Sequence, residues 1–384
     1  MGSFKVKEIP DNYYFTKPVF LDTGFFIASP EMPFTGELKR VLLDWEFTEV
    51  FSEGEPQEEY RSNENEGGGD AGINEEVSLN ERQKLEKAEE FYHSFLDFAE
   101  FIYIHISLKV DFTFQETADR IKELCQIVKD DRRFLLRVLK NHEPSDYKNY
   151  LAVHGVKSAI ISVIIGAYLK LPTHRLIELG TAALLHEAGM IKVPSNIYSS
   201  NRPLSPDERK VMLNHPIESY ILLRDHDFPL PVSIAALEHH ERENGEGYPR
   251  KLSGNKISLY AKIIAVACSY EALTANRPYR EAKDGYNSML DLLKNTGKQY
   301  DDTVIRALVY SLSIYPIGLY VLLSNGKKGQ VVDVNPENPR FPVVQILGEI
   351  SPSGTIKTLE TSSSEISIVR PLRREELGFT EPVG

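Results

Sequence analysis

Seven of the ten histidines fall between positions 154 and 240, and five of these, His154, His186, His215, His239 and His240, are the candidate ligands. Each lies in or at the end of a segment with helical periodicity. No other feature constrains the fold as much. Helix ends that converge are a good way to build a rigid metal cage with one open face. Imidazole suits Zn, Fe, Mn and Ni, and a neighbouring carboxylate can bridge two ions. A single histidine is more often a surface or satisfied core residue. The pairs His186-Glu187 and His239-His240 carry the metal reading, because each presents two donors from one helix end.

Around them, residues 81–315 read as almost entirely helical. ERQKLEKAEEFYHSFLDFAEFIYIHISL predicts one long helix, and QETADRIKELCQIVKDDRRFLLRVL supplies more helical sequence. Ser205, Pro206 and Glu208 predict a capping box at a helix start. Pro216 is expected to bend or break that helix just after His215.

The flanks have a different grammar. Residues 1–51 read as a small α/β-like module. FFIASP and FTEVF are its strands, and a helix from Thr35 carries Leu38, Val41, Leu42 and Trp45 on one face. Residues 52–80 read as an acidic disordered linker, and 81–140 as a helical connector. Nine acids against Arg61 in 53–76 account for most of the formal net charge of −12. From 316 to 372 five strands are expected, the first two joined at Asn325-Gly326, and 373–384 is a tail. With no basic surplus, DNA or RNA binding is not expected. The longest apolar run, Ser158–Leu169, is too short for a bilayer span of about 20 residues. The N-terminus lacks a signal-peptide pattern, and Cys125 and Cys268 cannot form a disulfide framework, so a cytoplasmic location is expected.

The string HHERENGEGYP at 239–249 is the most specific in the chain. It resembles the signature of the HD-GYP family, a branch of the HD metal-dependent phosphohydrolases. ALLHEAGMIKVP, PLSPDERKVMLNHP and IIAVACSYEALTANRPYR are similar to other family segments, so the resemblance covers roughly 145–315. It implies a mostly α protein: an HD-type helical bundle at 141–315, a small C-terminal antiparallel β domain and a small N-terminal module. It implies hydrolysis of cyclic di-GMP to pGpG or GMP by a metal-activated hydroxide, with two divalent transition-metal ions (Fe or Mn first, Zn as the alternative). By the same resemblance His154, His186, Glu187, His215, His239, His240 and Cys268 stand at metal positions. Glu187, Arg277 and Arg280 are the catalytic set, and Gly245, Gly247, Tyr248 and Pro249 join the arginines in substrate binding. The helical connector leaves pairing with a second copy open.

Four positions depart from the family pattern. Glu187 replaces an aspartate, and Cys268 replaces a later aspartate while also lying on an apolar face that reads as core. Met190 stands where the family has a lysine, with Lys192 two residues on. Tyr150 stands where members with three metals carry a glutamate, which favours two metals. Two rival readings follow: a degenerate cyclic di-GMP receptor with little turnover, and an HD phosphohydrolase acting on another phosphate ester.

Overall fold

The computed structural model describes residues 2–16, 19–20, 26–28, 34–44, 48–52, 54–58, 71–140, 150–198, 202–275, 282–335, 337–350, 356–362, 365–372 and 376. The chain divides into two compact units, residues 1–77 with 346–358, and residues 78–345 with 359–384.

The first unit contains β1 (Gly2–Lys5), β2 (Tyr14–Phe15), β3 (Val19–Phe20), β4 (Phe26–Ala28), α1 (Gly36–Asp44), β5 (Glu49–Ser52) and β6 (Pro56–Gln57). Four of the strands form a sheet in the order β1-β5-β3-β4, and β2 pairs with β6. The expected strands around 26–28 and 49–52 are both present. Thr35 caps α1 as expected, its Oγ1 accepting from the Leu38 N–H at 3.2 Å. Leu42 joins Val6, Ile9, Phe15, Val19, Phe34 and Val50 in a small core. Trp45 lies outside the described residues.

Helix α2 (Ala71–Leu108) begins inside the stretch expected to be linker. Residues 59–70 lie outside the described set. Then come α3 (Phe114–Lys140), α4 (Tyr150–Tyr168), α5 (Thr173–Leu185), α6 (Ser195–Tyr198), α7 (Pro206–Met212), α8 (His215–Asp225), α9 (Leu230–Glu238), α10 (Leu259–Thr274), α11 (Gly285–Lys294) and α12 (Asp302–Leu312). Asp131 kinks α3, and Arg133 donates to Asp131 and to Asp333, each at 2.8 Å.

Helix α4 is the centre of the bundle, packed against α3, α5, α10 and α12 and buried from Leu151 to Gly166. By length and composition it could cross a membrane, but 89% of that apolar window is buried inside this protein. Ser205 makes the expected capping box with Glu208 at the start of α7. The break falls earlier than expected, at Leu213 and Asn214, so His215 and Pro216 open α8. Proline lacks an N–H, and in the first turn of a helix none is needed.

The last strands are β7 (Tyr320–Leu323), β8 (Lys328–Asp333), β9 (Val343–Ile350), β10 (Ile356–Glu360) and β11 (Ile368–Pro371). Strand β7 pairs antiparallel with both β8 and β11. The β7–β8 turn uses Gly326 at φ +80°, as the Asn-Gly pair predicts.

Candidate metal centre

Three helix ends and the body of a fourth helix build the site. His186 is the C-cap of α5, His215 is the first residue of α8, and His239 is the C-cap of α9, with His240 next. His154 comes from within α4. Gly189 brings the α5 end against α8: a Cβ there would lie 2.2 Å from the His215 carbonyl oxygen and 2.6 Å from the Ser219 nitrogen. The buried Ser219 hydroxyl fastens the contact. It donates to the His186 carbonyl and accepts from the Gly189 N–H, both at 2.8 Å.

Two groups of donor atoms result. Glu187, His215, His239 and His240 form one, His154, His186 and Glu187 the other, with the donor atoms of each group within 4.8 Å of one another. Glu187 belongs to both. Its carboxylate lies 3.3 Å from Nε2 of His215 and 3.9 Å from Nε2 of His186.

The outer hydrogen bonds orient these ligands. Nδ1 of His186, of His215 and of His239 each lies 2.7 Å from a backbone carbonyl, those of Ala183, Met212 and Ala236. A carbonyl only accepts, so each Nδ1 carries a proton, which leaves Nε2 as the inward-facing donor atom of the neutral ring. Nδ1 of His154 is held instead by the buried carboxylate of Glu271. Nε2 of His186 and Oε2 of Glu187 are buried with no hydrogen-bond partner among the described residues. Burial, the largest effect, pushes His186 down to about 4 and His240 to about 3, and it drives His239 well below the usual range. Burial pushes the Glu187 carboxyl up, but the imidazoles, His215 first, bring it down to about 2. At neutral pH the site thus holds an anionic carboxylate beside the neutral imidazoles of His186, His239 and His240. Those donors fit divalent transition metals.

The signature loop closes over this cluster. Tyr248 stacks on His240, with centroids 4.7 Å apart and an angle of 21°. Gly245 has φ +77°, while Gly247 serves close approach, since a Cβ would meet the Glu241 Cα at 2.4 Å. Pro249 follows Tyr248 in the same turn. The buried Glu241 carboxylate accepts from the N–H of Arg250 at 2.6 Å and of Leu252 at 2.8 Å, fixing the far limb.

Cys268 is not in either donor group. Its thiol lies 3.5 Å from the Ala265 carbonyl on its own helix, against the apolar face. One turn on, Glu271 supplies the α10 carboxylate that reaches a site histidine. It stood unremarked in the sequence, yet a lone acid within IIAVACSYEALT signals a buried partner. Met190 is buried, and Lys192 turns away to pair with Glu218 at 2.5 Å, so neither puts an uncompensated cation at the cluster. Arg277 and Arg280 lie outside the described residues.

Residues 137–304 match the model of the HD domain family. Cyclic di-GMP phosphodiesterase PdeB of Borreliella burgdorferi is 28% identical over 199 residues, 52% of either chain. Cyclic di-GMP phosphodiesterase PA4108 of Pseudomonas aeruginosa is 31% identical over 51% of this chain and 48% of its own length. A Vibrio cholerae relative, 3'3'-cGAMP-specific phosphodiesterase 3, is 32% identical over 44% and 36%. The chain spans about half the length of the first two and less of the third. Among solved structures, Bd1817, a HDG"Y"P protein from Bdellovibrio bacteriovorus, aligns over 80% of this chain and 97% of its own, at 17% identity and a TM-score of 0.48.

Proposed function

We propose that the HD domain at residues 137–304 is of the HD-GYP type and that the protein hydrolyses cyclic di-GMP with two divalent metal ions. The observation that carries the proposal is the sharing of Glu187 between two donor groups, so that one carboxylate could serve both ions. Fe or Mn suits the His and carboxylate donors, with Zn as the alternative. When bound, such a pair neutralises phosphate oxygens and lowers the pKa of water.

The chain's own residues do the rest. Backbone carbonyls hold three imidazoles as the Nδ1–H tautomer, so metals meet lone pairs without reorganisation. Glu187 stays ionised and supplies the negative charge that two cations need. Burial keeps the Tyr248 phenol protonated, as a hydrogen-bond donor beside His240. Arg277 and Arg280 are proposed to hold the phosphate, because a guanidinium fork matches its oxygens.

A second reading has its own support. The buried Met190 offers no charge where the family resemblance expects a lysine, and that favours a slow enzyme or a receptor. Incubating metal-replete protein with cyclic di-GMP and separating the products chromatographically decides between them. Conversion to pGpG or GMP that stops on chelation supports the enzyme; tight binding with no product supports the receptor. Faster cleavage of 3'3'-cGAMP would move the substrate assignment.

A further inference from the structure

One ammonium group ties the signature loop to the helical bundle. Lys262, in the first turn of α10, places its Nζ 2.9 Å from Oε1 of Glu243 and 2.9 Å from Oδ2 of Asp301. Glu243 stands in HHERENGEGYP, between His240 and Gly245. Asp301 is the N-cap of α12, where it also accepts from the N–H groups of Thr303 at 2.8 Å and Val304 at 3.1 Å. Three elements therefore meet at one charge, and the Lys262 side chain is only 9% exposed there. The loop backbone follows the same line: the Asn244 N–H donates to the Lys298 carbonyl at 2.9 Å.

Residues 241–253 have no helix or strand of their own, so point contacts must hold them. The Glu241 carboxylate bonds within the loop and fixes its shape. Glu243 carries that shape to a buried helix. The last turn of α10 bears Glu271, whose carboxylate holds His154. One helix thus references both the loop beside His240 and a histidine of the other donor group. An ion group of this kind costs desolvation, and apolar side chains of similar volume often serve stability as well. What the charges supply is geometry. Tyr248 covers His240, so a ligand that extends beyond a phosphate at that donor group meets the loop.

We propose that Lys262 is a positioning residue: it sets the signature loop, and with it Tyr248, where a cyclic dinucleotide fits over the metal centre. This rests on the cyclic dinucleotide reading above. Calorimetry on the metal-loaded protein tests it, with cyclic di-GMP and inorganic phosphate as ligands. Glu243→Ala cuts the tie to the loop and leaves Lys262 paired with Asp301, so it serves even where Lys262→Met fails to fold. Each variant is expected to weaken cyclic di-GMP about tenfold, as the loop loses its preorganisation. Inorganic phosphate affinity and metal content should not change. Lys262→Arg, which keeps a cation for both carboxylates, should recover most of the affinity lost in Lys262→Met. Equal weakening of cyclic di-GMP and phosphate in Glu243→Ala, or loss of metal, would overturn the proposal, because the tie would then serve the whole site. Unchanged cyclic di-GMP binding in that variant would also overturn it and leave the functional reading standing. Wild type that binds phosphate but not cyclic di-GMP would remove both.

Discussion

Nε2 of His215 lies 3.3 Å from Nε2 of His239, and the Nδ1–H of each is already committed to a backbone carbonyl. As neutral rings they would set two lone pairs against each other at hydrogen-bond distance with no proton to share. In an apolar interior such a contact is repulsive, unless a cation draws on both. The fold holds the pair in place from outside, through α8 and α9, so it is built for that cation and not for its own stability.

Glu241 tests how the loop is held. Its buried carboxylate accepts two backbone N–H groups from Arg250 and Leu252. Glu241→Ala leaves both donors without their acceptor and is expected to destabilise the protein by about 2–4 kcal/mol. Denaturant unfolding of the two proteins measures this. Glu241→Gln, which keeps one acceptor oxygen, should recover part of the loss.

Metal-free protein should lose stability as pH falls from about 6.5 toward 4. His186 is held at about 4 and His240 at about 3, against 6.5 for a free imidazole. Across that window the unfolded chain binds protons that the folded chain refuses, so stability rises with pH. Thermal melts of chelator-treated protein at pH 7.5, 6 and 5 should show a falling midpoint. A flat profile would contradict the burial of neutral imidazoles.

Met190→Lys is expected to raise the single-turnover rate of cyclic di-GMP cleavage about tenfold, because a cation there meets charge that develops on phosphate oxygens. The gain is below a full donor effect, since the surrounding residues are not shaped for an ammonium. Lys192→Ala should change the rate less than about twofold, because Lys192 forms a surface ion pair with Glu218. A large loss in Lys192→Ala would show that this lysine reaches the phosphate after all.

The histidines were legible because each ends or lies in a periodic helical segment, and the Ser205 capping box has a local cause in three residues. Pro216 was misplaced by one helix, since proline tolerates a first turn as readily as it ends an interior. Whether Cys268 faces the metal donors or the core was left open by the sequence, and Glu271 carried no signal of its own. Helix α10 is buried on most sides, so periodicity does not say which position faces α4. Tyr150 was noticed only as a missing carboxylate; its stacking on His154 needs the helix in three dimensions. The early start of α2 was hidden by its acidity, which resembles a tether in composition.

The metal content of Glu187→Ala tests the central claim most directly. Protein made in metal-replete medium should carry about two transition-metal ions per chain by elemental analysis, given one carboxylate shared by two donor groups. Glu187→Ala should lose ions from both groups and keep less than about one, even with all five histidines intact. Full retention of two ions in Glu187→Ala, or a wild-type chain with none, would contradict the shared site.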